Sequence, residues 1–254
     1  MPRRPRMPPG RPGLPHHELE ALLERSRLDP TEEPAFFRSL LDATVYIHVP
    51  VSDDSKHIRV VQFRHPDGFD AIPFFTSPQK AQFASSRAVR IVELCGHDLL
   101  SQTRGATLML NPNDGGAVLY PEEIASLLDT GFMARVEKIE YSGLHIRPAA
   151  NAPAWLEDAV RTSVQDADFV AEAYLLESNP SDRWNERPGL VIYLVVDHAF
   201  ADRAARMVTA AVQPLCGHHD TVIDVMIHDV TQPLPDALVN VEMVPIYRRA
   251  EETQ

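Results

Sequence analysis

Two near-copies of one short phrase hold the sharpest chemical possibility in this sequence. Leu94-Cys95-Gly96-His97-Asp98 and Leu215-Cys216-Gly217-His218-His219-Asp220 each set a thiol and an imidazole two residues apart. Thiolate and imidazole are the ligands zinc prefers, and two such pairs would fill a tetrahedral site. The spacing argues against it, because structural zinc sites are usually built from Cys-x2-Cys or Cys-x2-His pairs, and the two phrases fall in different predicted domains. The competing reading is a strand end followed by glycine and a helix-capping aspartate, with the cysteine packed as a small apolar residue. The expectation is therefore two free thiols, no metal and no bound cofactor.

A His-Asp constellation is the next candidate. Asp197-His198 closes one predicted strand, and His218, His219 and Asp220 precede another. The helix expected between them has about 15 residues and separates its ends by roughly 22 Å. Those groups cannot share one substrate, and His198 reads as a helix-entry residue. Nucleophile elbows, His-Glu-x-x-His zinc motifs and Gly-x-x-x-x-Gly-Lys phosphate loops do not occur. Asp53-Asp54 falls in a turn and Glu122-Glu123 at a helix entry, where carboxylates are ordinarily solvated. Gly115-Gly116 follows Asn113-Asp114 and reads as a hairpin turn, since a strand follows it where a dinucleotide loop would open a helix. No reaction class rises above background, so the chain is read as leaning away from catalysis.

The elements that would position these groups are clearer. Residues 17–28 and a segment opened by Pro34 carry apolar residues at helical spacing. Residues 44–50 alternate strictly, with Val45, Ile47 and Val49 on one face. A strand over 58–64 should return through the His65-Pro66-Asp67-Gly68 turn into 69–75. Thr76 or Ser77 should then cap a helix that has Pro78 in its first turn. Pro121 opens another, with Glu122 and Glu123 at the positive end of its dipole and Gly131 at its close.

From residue 132 the order changes to strand (135–141), helix (153–164), strand (169–177), polar turn (179–188), strand (190–197), helix (199–214) and strand (221–228). Strand-helix-strand-strand-helix-strand is the ferredoxin-like order. In that fold one end of the sheet would gather His145 and Arg147, then Arg183, Trp184 and Arg187, then His218 and His219. These seven are the candidate partner- or ligand-binding residues, a basic and aromatic patch on an acidic chain. The competing role for Trp184 is to fold back onto its own domain.

Composition sets outer limits. The chain has 254 residues, 24 Lys plus Arg against 36 Asp plus Glu, and a formal net charge of −12. Arg3, Arg4, Arg6 and Arg11 all sit in a Pro-rich head, so the remainder is more acidic still. Such a body repels phosphate backbones and anionic lipid, which excludes nucleic acid and membrane surfaces as expected partners. The longest apolar run, Leu190 to Val196, is seven residues, against roughly 20 for a membrane span. The head lacks the apolar stretch of a secretory signal, and a cytoplasmic location is expected. The expected division is a disordered head (1–16), an α/β domain (17–131) and a ferredoxin-like domain (132–254).

Residues 71–128 read AIPFFTSPQKAQF, AVRIVELCGHDLL and ATLMLNPNDGGAVLYPEEIASLL, and the chain closes on Pro245-Ile246-Tyr247-Arg248-Arg249. In order and wording these segments resemble the SseB family, the enhanced serine sensitivity proteins of bacteria, over 17–249 in two modules. The shared residues are turn, cap and core residues, so the resemblance implies an α/β (α+β) fold and names no reaction. It implies a cytoplasmic binding or regulatory protein whose partner is a protein or a small anionic ligand. One alternative is a small-molecule sensor or enzyme linked to serine or amino-acid metabolism. Another is an accessory of a secretion system, although a translocon subunit should carry a membrane-inserting segment or long heptads, and neither is present.

Overall fold

A computed structural model describes residues 14–51, 59–136, 145–179, 189–216, 223–239 and 243–250. The chain is of the α+β class and divides into two compact units that meet between Met133 and Ala134. Most of the expected head, and the phrase Gly217 to Asp220, lie outside the described residues. Leu14 is the first one described, and its N–H donates to the Asp42 carbonyl at 3.2 Å.

In the first unit, α1 (His16–Leu28) and α2 (Glu33–Asp42) precede β1 (Thr44–Pro50), β2 (Phe63–Arg64) and β3 (Asp70–Phe75). There follow α3 (Pro78–Phe83), β4 (Val89–Cys95), α4 (Gly96–Gln102), β5 (Leu108–Leu110), β6 (Ala117–Leu119) and α5 (Pro121–Thr130). The sheet order is β4-β1-β3-β5-β6, with β2 on β3. Among the described strands of this sheet, only β3 and β5 run parallel. The alternation of β1 decides its faces: Val45, Ile47 and Val49 are buried in a core built with α1, α2, α4 and α5. The other face carries His48, whose Nε2 lies 2.9 Å from the Ala81 carbonyl of α3. The strand expected over 58–64 is shorter, because among its described residues only Phe63 and Arg64 pair with β3.

Helix ends follow the punctuation of the sequence. Ser77 caps α3 by accepting from the Lys80 N–H. Glu123 turns back to the Tyr120 N–H at 3.0 Å, and Gly131 closes α5 in the left-handed region at φ 71°. Gly96, the centre of the first Cys-Gly-His phrase, has a packing reason to be glycine. A β-carbon there would sit 1.9 Å from the Leu40 carbonyl oxygen at the end of α2. That separation is impossible for a real contact, so α2 reaches the start of α4 only because the position lacks a side chain.

The second unit comprises β7 (His145–Pro148), α6 (Ala154–Val164), β8 (Val170–Asn179), β9 (Gly189–Val196), α7 (Ala201–Cys216), β10 (Ile223–Asp229), α8 (Asp236–Val239) and β11 (Tyr247–Arg248). The sheet order is β10-β9-β8-β11, with β7 also on β8. The helices and strands expected between 153 and 228 are present in that order, with β7, α8 and β11 in addition, but the pairing is not ferredoxin-like. That fold sets its first strand beside the third. Here β9 is flanked by β8, antiparallel, and by β10, parallel, so both its edges are taken. The first described strand is β7, on the far edge of β8, and residues 137–141 of the strand expected at 135–141 lie outside the described residues.

The composition of β9 accounts for its central place. Leu190, Ile192, Leu194 and Val196 enter a core with α6 and α7, while Val191, Tyr193 and Val195 enter a second core with Leu238 of α8. A strand apolar on both faces must be covered on both. Replacing Gly96 by alanine should cost at least about 2 kcal/mol, the upper part of the overpacking range. Urea unfolding measures this, and an unchanged midpoint would show that α2 and α4 do not approach so closely.

Candidate functional site

Where β3 and β5 end side by side, the first unit gathers its densest polar network. The parallel register places Phe74 beside Leu110, so the turns that follow both strands meet. Asn111 stands in the left-handed region at φ 45°, a conformation asparagine tolerates better than most residues. Its side-chain oxygen accepts from the Thr76 N–H at 3.1 Å, and its amide donates to the Thr76 hydroxyl at 2.9 Å. The Thr76 hydroxyl donates to Glu20 of α1. Lys80 reaches Glu20 on one side and Asp114 at 2.8 Å on the other.

Charge in this bracket is balanced locally. Burial opposes the charge of Lys80, but bonds to Asp114 and Glu20 more than offset it and hold the ammonium above its ordinary value. The same Lys80 bond, helped by Arg27, holds the Asp114 carboxyl below the usual carboxylate range. Arg27 donates to the Asp114 carbonyl and to Glu24 at 2.8 Å. The bracket thus clamps the β5–β6 turn to α1. Its donors and acceptors are spent on one another, which suits a rigid joint better than a reaction centre.

In the second unit the strand register defines the end at which the candidate patch was expected. His145 of β7 pairs with Asn179, Ser178 with Gly189, and Leu190 with Ile223. The starts of β7, β9 and β10 and the finish of β8 therefore share one end of the sheet. His145 is exposed there. Arg147 is committed: its Nε and Nη2 lie 2.9 and 2.7 Å from Glu177 Oε2, while Glu177 Oε1 accepts from the Ala150 N–H at 3.3 Å. The Glu177 side chain is 8% exposed against 43% for Arg147. Arg183, Trp184, Arg187, His218 and His219 lie outside the described residues.

Glu177 is the residue that sequence reasoning missed. An acid closing an apolar strand was a visible signal, but its partner sits 30 positions away. The two cysteines fall in separate units. Cys95 is exposed and its thiol lies 3.1 Å from the Leu41 carbonyl, whereas Cys216 ends α7 and burial pushes its thiol up. Among the described residues no group of three or more His, Cys, Asp and Glu could hold a metal ion. No helix there is long and apolar enough to cross a membrane.

The opposite end of the same sheet carries an open cleft of about 920 Å³. Beside it Tyr174 donates to Glu172, and Tyr174, Tyr193 and His228 form an aromatic row with ring centroids 6.3 and 5.6 Å apart. Burial first, then Glu172, pushes the Tyr174 hydroxyl up to about 12, and burial does the same for Tyr193.

Set beside known proteins, the bracket and the first sheet fall inside a recognised module. The family model described as SseB protein N-terminal domain matches residues 19–126. Over this stretch the chain is similar to the SseB family. Protein SseB of Escherichia coli (strain K12) and Protein SseB of Shigella flexneri are each 29% identical to it over 192 residues, covering 71% of this chain and 73% of theirs. No solved structure matches. Within the family module, the matched segment runs from Leu19 of α1 into α5, so it spans the whole Glu20–Thr76–Asn111 bracket.

The Arg147–Glu177 pair makes a measurable claim about the patch end. Arg147→Met should leave a buried carboxylate short of its cation and cost about 3 kcal/mol in urea unfolding. Adding Glu177→Gln should recover part of that loss, whereas strictly additive losses would show that the two side chains act independently.

Proposed function

We propose that this SseB-like protein is a cytoplasmic binding or regulatory module with no catalysis of its own. We further propose that it docks a protein or small anionic partner at the β7-start end of the second sheet. The register supports this reading. Asn179 and Gly189 bracket residues 180–188, while Cys216 and Ile223 bracket 217–222, and Asn179, Gly189 and Ile223 stand at the end where His145 is exposed. The chain therefore leaves and re-enters the sheet there with Arg183, Trp184, Arg187, His218 and His219 in the connecting segments. On a chain with a formal net charge of −12, basic and aromatic residues on segments that join one end of a sheet are natural anchors for an acidic partner. Arg147, held by Glu177, serves this surface by fixing β7 to β8, and His145 is exposed there. The Thr76–Asn111 bracket supports a non-catalytic reading because its polar atoms satisfy one another.

The cleft at the other end favours a second reading, a small-molecule sensor or an enzyme connected with amino-acid metabolism. The two readings place their ligands at different ends of one sheet and so can be separated.

Trp184→Ala should weaken partner capture by about 2 kcal/mol, roughly thirtyfold in affinity. If the ring faces solvent, stability should change by no more than about 0.5 kcal/mol. Surface plasmon resonance against the purified partner and thermal unfolding measure the two quantities. A large stability loss with unchanged capture would make Trp184 a core residue and remove the patch from the functional account.

A further inference from the structure

The cleft of about 920 Å³ lies over the start of β8, the finish of β9, the turn after β10 and the strand β11. A register shift between Val170 and Glu172 bulges β8 at Ala171, and bulges of this kind re-aim side chains next to binding sites. The apolar surface of the cleft comes from Ala171, Val195, Val230 and Leu234. Its charged groups are Asp168, Glu172, Arg248 and Arg249, two of each sign.

The four charges are not equivalent. Glu172 is satisfied, since Arg248 Nε lies 2.7 Å from one carboxylate oxygen and the Tyr174 hydroxyl donates to the other. That bond cancels the charge of Arg248 as well. Arg249 donates one guanidinium nitrogen to the backbone carbonyl of Asp168. Among the described residues, neither the Asp168 carboxylate nor the Arg249 guanidinium has an ion-pair partner. The backbone bond brings the Arg249 guanidinium to residue 168 on the cleft lining, where both residues are exposed.

We propose that the cleft is a binding site for a small zwitterion with adjacent ammonium and carboxylate groups and a large apolar side chain, that is, an apolar α-amino acid. The carboxylate would meet the planar donors of Arg249, and the ammonium would meet Asp168. The side chain would lie over Ala171, Val195 and Leu234, displacing water from apolar surface. The volume is within the range of small-molecule sites and leaves room for a bulky side chain. A simple anion would be repelled by Asp168 and a simple cation by Arg249, so both charges must be present together. This site stands at the opposite end of the sheet from the docking patch and does not depend on it.

Isothermal titration calorimetry of the full chain with L-phenylalanine tests the assignment, with 3-phenylpropanoate and 2-phenylethylamine as analogues that each lack one charge. L-phenylalanine should bind with one-to-one stoichiometry. Each analogue should bind at least about tenfold more weakly, as expected for loss of one charge-assisted hydrogen bond. Arg249→Gln and Asp168→Asn should each weaken L-phenylalanine at least about tenfold, while Trp184→Ala should leave the titration unchanged. The proposal is overturned if L-phenylalanine gives no binding at millimolar concentration or if either analogue binds equally well. Undiminished binding by both cleft variants, or loss of binding in Trp184→Ala, would overturn it too. Should a cleft variant fail to fold, methyl NMR of the unaltered protein decides. Shifts confined to Val195, Val230 and Leu234 on adding L-phenylalanine support the site, and shifts elsewhere overturn it.

Discussion

The second unit depends on the burial of one strand from both sides. β9 contributes four aliphatic side chains to the core under α6 and α7, and Val191, Tyr193 and Val195 to the opposite core. Fully burying an aliphatic side chain is worth about 1.5–3 kcal/mol, so no arrangement that left a face or edge of β9 open would compete. With β8 on one edge and β10 on the other, the ends of the strands are fixed. One end collects His145, Asn179, Gly189 and Ile223, and the other collects the bulge at Ala171, the turn after β10 and β11. Both surfaces assigned a binding role are consequences of that one strand's position.

The first unit solves a different problem. Its sheet is covered on one face by four helices, and its loops must be held without large cores of their own. Gly96 lets α2 touch α4, and the Glu20–Thr76–Asn111 bracket ties the β5–β6 turn to α1. A chain this acidic gains from placing Lys80 between Glu20 and Asp114, since each carboxylate would otherwise repel its surroundings. The matched family module spans these residues, and their contribution is to shape and stiffness.

Much of the local structure was legible in the sequence. The alternation of β1, the proline-opened helices α3 and α5, and Gly131 as a helix stop are all short-range effects, and each is present in the structure. The apolar run at Leu190 to Val196 was read as a strand, and it forms β9. Pairing was not legible, because the order strand-helix-strand-strand-helix-strand is compatible with more than one sheet. Nothing local in β10 says whether it joins β9 directly or across another strand. The role of Arg147 was hidden for the same reason: its partner Glu177 is brought to it only by the β7–β8 register. The first Cys-Gly-His phrase, weighed as half of a zinc site, is explained by one close backbone approach at Gly96, while Gly217 to Asp220 of the second lie outside the described residues.

The strand order is therefore the statement on which both binding surfaces rest. Cross-strand nuclear Overhauser contacts in the full-length protein test it directly. Parallel pairing of Ile192 with Val225 and of Leu194 with Ile227 requires amide-to-Hα contacts between β9 and β10 along their whole length. Their presence, together with antiparallel contacts between Tyr174 and Tyr193, is the predicted result. Contacts from β9 to residues 137–144 in place of β10 would restore a ferredoxin-like order and contradict the account.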